Sequence, residues 1–173
     1  MSENVPVLVI SGSMGSGKTT VLSEASDLLS EAQIAHAAID LDWLSVGYPT
    51  QEDYGQALIN ANLTAIWPNY VTAGAQRLLI ARVVEDRSEL QGYKHAVSGA
   101  EIVVCCLSAP IVTMQGRLRI REPGMFQAQA IARCAELAHI LERSGAEDFI
   151  VDNSNGRLIT EVAREVLSRA DWL

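Results

Sequence analysis

The chain has 173 residues, enough for one domain with a proper core and too few for two. Hydrophobic residues make up 49% of it and aromatics only 5%, so it is no disordered polymer and its core rests on Ala, Val, Leu and Ile. A formal net charge of -8 argues against a nucleic-acid backbone binder, which needs a basic surface; any phosphate must be held locally by backbone amides and a few placed cations.

Three cysteines, two of them adjacent at Cys105 and Cys106, do not make a disulfide framework and fit a reduced, cytoplasmic setting. They have no zinc spacing with histidine. No basic leader precedes Gly12 and no apolar run approaches about 18 residues, so neither a signal peptide nor a membrane span is expected.

In chain order, Val5 to Ile10 reads as a strand buried on both faces. A glycine-rich loop follows, and then a helix whose Val21, Leu22, Ala25, Leu28, Leu29 and Ala32 form one apolar stripe. Ile34 to Ile39 is a second strand ending in Asp40-Leu41-Asp42. After a polar stretch with Gly47 and Pro49, helix is expected from about Glu52 to Gly74, broken at Pro68. Leu78 to Val84 predicts a third strand, Arg87 to Val97 a short helix closed by Gly99, and Ile102 to Leu107 a fourth strand. Ile111 to Ile120 begins a helix stopped by Pro123-Gly124, and a longer helix carries Ala130, Ile131, Cys134, Leu137, Ala138 and Leu141. Phe149 to Val151 is a fifth strand. A last helix runs from about Gly156 to Arg169, with Leu158, Ile159, Val162, Ala163, Val166 and Leu167 inward. Strands alternating with helices imply right-handed crossovers, an α/β fold and a mostly parallel sheet, with the ligand beyond the carboxyl ends of the strands. No repeat or linker divides the chain.

Gly12-Ser13-Met14-Gly15-Ser16-Gly17-Lys18-Thr19 fits G-x-x-x-x-G-K-[ST] at every fixed position, between an apolar strand and an amphipathic helix. Glycines let successive amides turn inward around an anion, and the helix N-terminus adds the positive end of its dipole. Lys18 is expected on the β- and γ-phosphates of ATP and Thr19 on Mg²⁺. Thr20 completes the nucleotide-binding stretch. Asp40 and Asp42, two apart at a strand end, are expected to look the same way, one toward the metal and one toward an acceptor hydroxyl.

A P-loop of this kind followed by strand-Asp-x-Asp resembles the small-molecule kinases of the nucleoside monophosphate kinase superfamily, of the shikimate, gluconate, adenylylsulfate kinase or chloramphenicol phosphotransferase type. The resemblance implies a P-loop three-layer sandwich with five parallel strands in the order 2-3-1-4-5. It also implies one kinase-like domain over 1-173, an acceptor segment at about 43-75 and an arginine-bearing lid at about 114-126. In those families the position of Asp42 contacts the acceptor and that of Asp40 lies near the metal. Arg117, Arg119 and Arg121 stand where the lid falls. Arg117 and Arg121 share a helix face and are the favoured phosphoryl ligands.

Weaker expectations attach to other residues. The loop Asp152 to Arg157 follows the last strand, where such kinases often stack the base; Asn155 is an N-cap candidate and Arg157 an adenine-stacking one. Glu85 and Asp86 follow the third strand, but Arg82 interrupts its apolar ending, which departs from a strand that closes on a metal-binding acid. Trp43, Tyr48, Tyr54, Trp67, Asn69 and Tyr70 gather in the acceptor segment, as pocket or as core. His36, His95 and His139 form no constellation. The sum is an ATP- and Mg²⁺-dependent phosphotransferase acting on a small-molecule acceptor, with no nucleic acid or membrane partner and oligomeric state undetermined. The alternative is a regulatory ATPase or switch with no phosphoryl acceptor, although a base-reading Asn-Lys-x-Asp motif is missing.

Overall fold

The structure is a computed structural model that describes residues 4–47, 55–122 and 124–173. Its elements follow in order as β1 (Val5–Gly12), α1 (Lys18–Glu31), β2 (Ala37–Asp40), a 3-10 turn (Leu41–Ser45), α2 (Gly55–Thr72) and β3 (Leu78–Ala81). A second 3-10 turn (Arg87–Glu89), α3 (Leu90–Ala96), β4 (Ala100–Ser108), α4 (Ile111–Arg121), α5 (Gln127–Ser144), β5 (Phe149–Asp152) and α6 (Ile159–Arg169) complete it. The five strands form one parallel sheet in the order β2-β3-β1-β4-β5.

Alternation along β1 sends side chains to opposite faces and builds two cores at once. Leu8 and Ile10 pack with α1 and α6 on one side, while Val7 and Val9 pack with α2 and α3 on the other. Both faces of the central strands are covered, which is why their sequences are continuous apolar runs rather than alternating ones. A third, smaller cluster joins Met114 and Leu118 of α4 to Cys134 of α5, with Met14 of the glycine-rich loop against it. The register brings the carboxyl ends of the strands to one edge: Gly12 lies beside Leu107, Asp40 beside Ala81, and Ser108 beside Asp152.

Several expected boundaries move, each for a local reason. β2 starts at Ala37 rather than Ile34, because Gln33 takes a positive φ and the Ile34 amide turns back to the Leu29 carbonyl. His36 is held in the same bend by Ser26 and the Ile34 carbonyl. Pro68 does not break α2, which is continuous from Gly55 to Thr72. Proline removes one ladder bond, and burial of Ile59, Leu63 and Trp67 on one side of the helix outweighs that loss. β3 closes at Ala81, and Val84 is drawn off by the Ser11 hydroxyl, which accepts from its amide at 3.0 Å. α6 begins at Ile159 with Leu158 as its N-cap residue, so Asn155 is not the cap. Gly156, at φ 94, turns the chain before the helix, and this leaves Leu158 exposed instead of inward. No helix among the described residues is long and apolar enough to cross a membrane.

Candidate functional site

The glycine-rich loop leaves β1 at Gly12 and enters α1 at Lys18. Its close approaches require glycine, most plainly at Gly15 and Gly17. A Cβ on Gly15 (φ 79) would meet the Met114 carbonyl oxygen at 2.5 Å, and one on Gly17 (φ 98) would meet Asn153 Nδ2 at 2.5 Å. The loop is thus clamped between α4 on one side and the segment after β5 on the other.

The clamps are hydrogen bonds to the loop's own carbonyls. Asn153 is buried and donates from Nδ2 to the Ser16 carbonyl at 2.7 Å, while its own amide donates to the Ser108 carbonyl at 2.7 Å. Arg117 spans the same junction. It donates to the Gly15 carbonyl at 3.3 Å, the Asn153 carbonyl at 2.8 Å and Asn155 Oδ1 at 3.3 Å. Ser13 Oγ donates to the Cys134 carbonyl in α5 at 2.7 Å. Among the described residues, the Met14, Gly15 and Gly17 amides find no carbonyl partner in the loop. Ser16 Oγ is buried without a partner among them as well. A run of unpartnered loop donors at a helix N-terminus is the arrangement that receives an anion.

Lys18 completes the nest. Nζ donates to the Gly12 carbonyl at 2.9 Å and to the Ser13 carbonyl at 3.2 Å. Burial lowers its pKa below the ordinary lysine value, and the charges of Asp42 and Asp40 partly oppose that shift. A buried ammonium held by neutral carbonyls and beside two carboxylates is ready to exchange them for phosphoryl oxygens.

Asp40 and Asp42 do reach the loop, in different ways. Thr19 Oγ1 donates to Asp40 Oδ2 at 2.6 Å, and the other oxygen of Asp40 accepts from the Asp42 amide at 3.0 Å, capping the 3-10 turn. The turn takes Asp42 out of the extended geometry. It is exposed and paired with Arg82, which stands one residue beyond β3. A threonine hydroxyl against a carboxylate oxygen is a hard-oxygen pair suited to Mg²⁺. Among the described residues no cluster of three or more His, Cys, Asp or Glu side chains forms a self-sufficient cation cage. A metal bound here would take its remaining ligands from water and phosphate. Neither acid after β3 reaches it: Glu85 pairs with Arg133, and Asp86 caps the second 3-10 turn.

Other expected residues lie as follows. Arg121 is exposed and pairs with its neighbour Glu122 at 2.8 Å, close enough to Lys18 to affect its charge. Arg157 donates to the Asp152 carbonyl at 2.7 Å and pairs with Glu165 at 3.0 Å. Thr20 is exposed at the start of α1. Of the acceptor-segment aromatics, Trp67 is buried in the core, Trp43 and Tyr70 are exposed, and Tyr48 and Tyr54 lie outside the described residues. A cleft of about 570 Å³ beside the loop is lined by Met14, Glu122, Phe126, Ala130, Arg133 and Glu136.

Two residues of this site were not singled out for a role by sequence. Asn153 acts through contacts 137 positions away, so no local spacing betrays it. Arg82 was visible only as an interruption of an apolar strand, and its partner Asp42 stands 40 positions earlier.

Comparison with solved structures finds close three-dimensional likeness at low identity. A gluconokinase from Sinorhizobium meliloti 1021 matches with a TM-score of 0.61 and 16% identity, over 96% of this chain and 91% of that one. An Acinetobacter baumannii shikimate kinase in complex with shikimate gives 0.57 and 16%, over 97% and 93%. A Mycobacterium tuberculosis APS kinase in complex with AMPPNP and APS gives 0.58 and 20%, over 97% and 98%. The fold is that of the P-loop small-molecule kinases. The expected strand order and the family resemblance are therefore both borne out in the architecture. No family model matches this P-loop kinase fold's sequence, and no curated protein is found similar to it.

Proposed function

We propose that the chain is an ATP- and Mg²⁺-dependent phosphotransferase that moves the γ-phosphate to a hydroxyl of a small molecule. The observation that carries this reading is the meeting, at one sheet edge, of an anion nest, Lys18, the Thr19–Asp40 oxygen pair and an exposed second carboxylate, Asp42. A nucleotide-binding switch needs the first three; the fourth is what an acceptor needs.

In this reading residues 12–20 hold the triphosphate, and Thr19 and Asp40 hold Mg²⁺. The metal, when bound, neutralises charge on the β- and γ-phosphates. Lys18 leaves the Gly12 and Ser13 carbonyls for the β- and γ-oxygens. The acceptor oxygen bonds to the γ-phosphorus as the bond from phosphorus to the β,γ-bridging oxygen breaks. The electron pair departs with ADP, and the hydroxyl proton passes to Asp42. Arg121, from the lid segment of about 114–126, turns from Glu122 to the transferring group. Arg117 already holds the loop carbonyls and acts chiefly by keeping the nest in shape. Arg157 borders the position for the base. The acceptor enters over the segment of about 43–75, in a single domain spanning 1–173. Three buried free cysteines suit a reducing, cytoplasmic setting.

The test separates binding from transfer. In Asp42→Asn, Mg²⁺·AMPPNP is expected to bind as in the wild type while transfer to any acceptor falls by roughly a hundredfold or more. Lost nucleotide affinity in that variant would make Asp42 a metal or structural residue and remove it from the chemistry.

A further inference from the structure

On the β4–β5 side of the loop, across the sheet from Asp40, the chain leaves a second cavity of about 130 Å³. Its inner wall is buried and consists of Ser13 of the loop, Cys106 and Leu107 of β4, and Met114 of α4. Ser108, Glu142 and Ile150 also line it and are exposed, so the cavity opens between α5 and the edge strand β5. Packed interiors hold few voids larger than a water, because stability falls as the void grows. A bulkier side chain at Ala109 or Ala138, both on the wall, would fill this one. An apolar cavity of about this volume is the right size for a single six-membered ring.

The mouth carries negative charge that the protein itself does not answer. Glu147, half-buried in the connection from α5 to β5, has no hydrogen-bond or ion-pair partner among the described residues. Its neighbour Asp148 differs, pairing with Arg87 at 2.7 Å and accepting from the Val104 amide at 2.8 Å. Glu142 has only His139, at 3.7 Å, which is a cation only when protonated. Inside, burial and the Glu147 charge push the Cys106 thiol up to about 11, so that wall is a neutral thiol. The charge of Lys18 reaches the same thiol, which puts Cys106 between the cavity and the nest.

The inner wall is thus also the back of the nest. Leu107 lies beside Gly12 in the sheet. Ser13 Oγ donates to the Cys134 carbonyl at 2.7 Å, and the Ser13 carbonyl accepts from Lys18 at 3.2 Å. The Met114 carbonyl blocks the space where a Cβ on Gly15 would fall. Whatever packs against Ser13 and Met114 acts on the loop directly.

We propose that this cavity is an effector site for a small apolar amine, with the apolar body against Cys106 and Met114 and the ammonium at Glu147 and Glu142, and that filling it tightens nucleotide binding. Two effects set that sign. Packing against Ser13 and Met114 restricts the loop in advance, so less ordering remains when the nucleotide arrives. The ammonium also neutralises carboxylates whose field opposes a polyphosphate at Lys18. By linkage, the nucleotide tightens the amine by the same factor. The proposal goes beyond the phosphotransferase reading, since it involves the nest and no acceptor.

The test titrates benzylamine and its neutral analogue benzyl alcohol into the full-length protein by calorimetry. Benzylamine is expected at one saturable site per chain, at least about tenfold tighter than the alcohol. In Glu147→Gln that advantage should shrink by about tenfold, with circular dichroism unchanged. Ala138→Leu fills the cavity and should abolish binding of both probes, with AMPPNP affinity undiminished; if this variant fails to fold, Glu147→Gln still decides. Saturating benzylamine should tighten Mg²⁺·AMPPNP by about fivefold in the wild type and not in Ala138→Leu. Absence of a saturable site, equal affinity for the alcohol, or undiminished benzylamine binding in Ala138→Leu would overturn the proposal. So would an AMPPNP affinity that benzylamine leaves unchanged or weakens. Failure of the wild type to bind Mg²⁺·AMPPNP at all is a distinct result, which would bring down the phosphotransferase reading and the coupling with it even where benzylamine binds.

Discussion

The loop side and the acceptor side of this sheet edge are built on opposite plans. Around the loop, four carbonyls are claimed by side chains: Ser16 by Asn153, Gly15 by Arg117, Gly12 and Ser13 by Lys18. On the other side, Arg82 and Tyr93 carry buried polar atoms with no partner among the described residues, and Asp42 stands half exposed. The first region is over-determined because, in the proposed reading, all its groups serve one triphosphate. The second leaves donors open, which in the same reading suits a partner from outside the protein. Rigid support on one side and unspent polarity on the other is how one fold serves different acceptors.

The largest effect should come from the residue on which both regions converge. Lys18→Ala is expected to lose transfer by roughly a thousandfold or more with its circular dichroism unchanged. The melting temperature should hold or rise, since the variant no longer buries an ammonium. Retained turnover in a coupled assay would separate the lysine from the chemistry.

Gly17→Ala tests whether the loop is as tightly held as the clamps imply. The new methyl would meet Asn153 Nδ2 at 2.5 Å with the backbone already at φ 98, so nucleotide affinity should fall by roughly a hundredfold. A fluorescent nucleotide titration reads this directly, and an unchanged affinity would mean the clamp yields. Asn153→Ala removes the clamp itself and orphans the Ser16 carbonyl, for an expected stability loss of about 1–3 kcal/mol in denaturant melts.

The acceptor side predicts the reverse response. Tyr93 is fully buried, yet its hydroxyl has no partner among the described residues, so Tyr93→Phe should leave stability unchanged or raise it by about 1 kcal/mol. Burial pushes the Tyr93 pKa up from 10.0 to about 12. The folded form therefore keeps a proton that the unfolded chain gives up. Stability is fully present below pH 10 and is lost as pH rises from there through about 12. Alkaline melts of wild type and Tyr93→Phe should diverge in that window, the variant losing less. Parallel curves would show that the hydroxyl is solvated after all.

What could be read in advance follows the same division. The glycines, Lys18 and Thr19 announce themselves because an anion nest needs a contiguous stretch with one helix start, and Asp40 because it closes a strand two residues before Asp42. Strand order came from resemblance and matched the sheet. The clamps were silent, since Asn153 and Ser13 act on carbonyls more than a hundred positions away and an asparagine in a loop carries no period. Asn155 misled for the related reason that capping residues and loop residues share a composition; Gly156 then turned the chain and shifted the helix start. Arg82 looked like a flaw in a strand. Only the fold, which brings β2 beside β3, turns it into Asp42's partner.

The most direct test of the account follows the label of [γ-³²P]ATP when the protein is incubated with Mg²⁺ and a library of small hydroxy acids and polyols. The expected result is label in an organic phosphate ester, formed only with an acceptor present and lost in Lys18→Ala. Label released solely as inorganic phosphate, at a rate indifferent to every added molecule, would contradict it and leave a nucleotide hydrolase in place of a kinase.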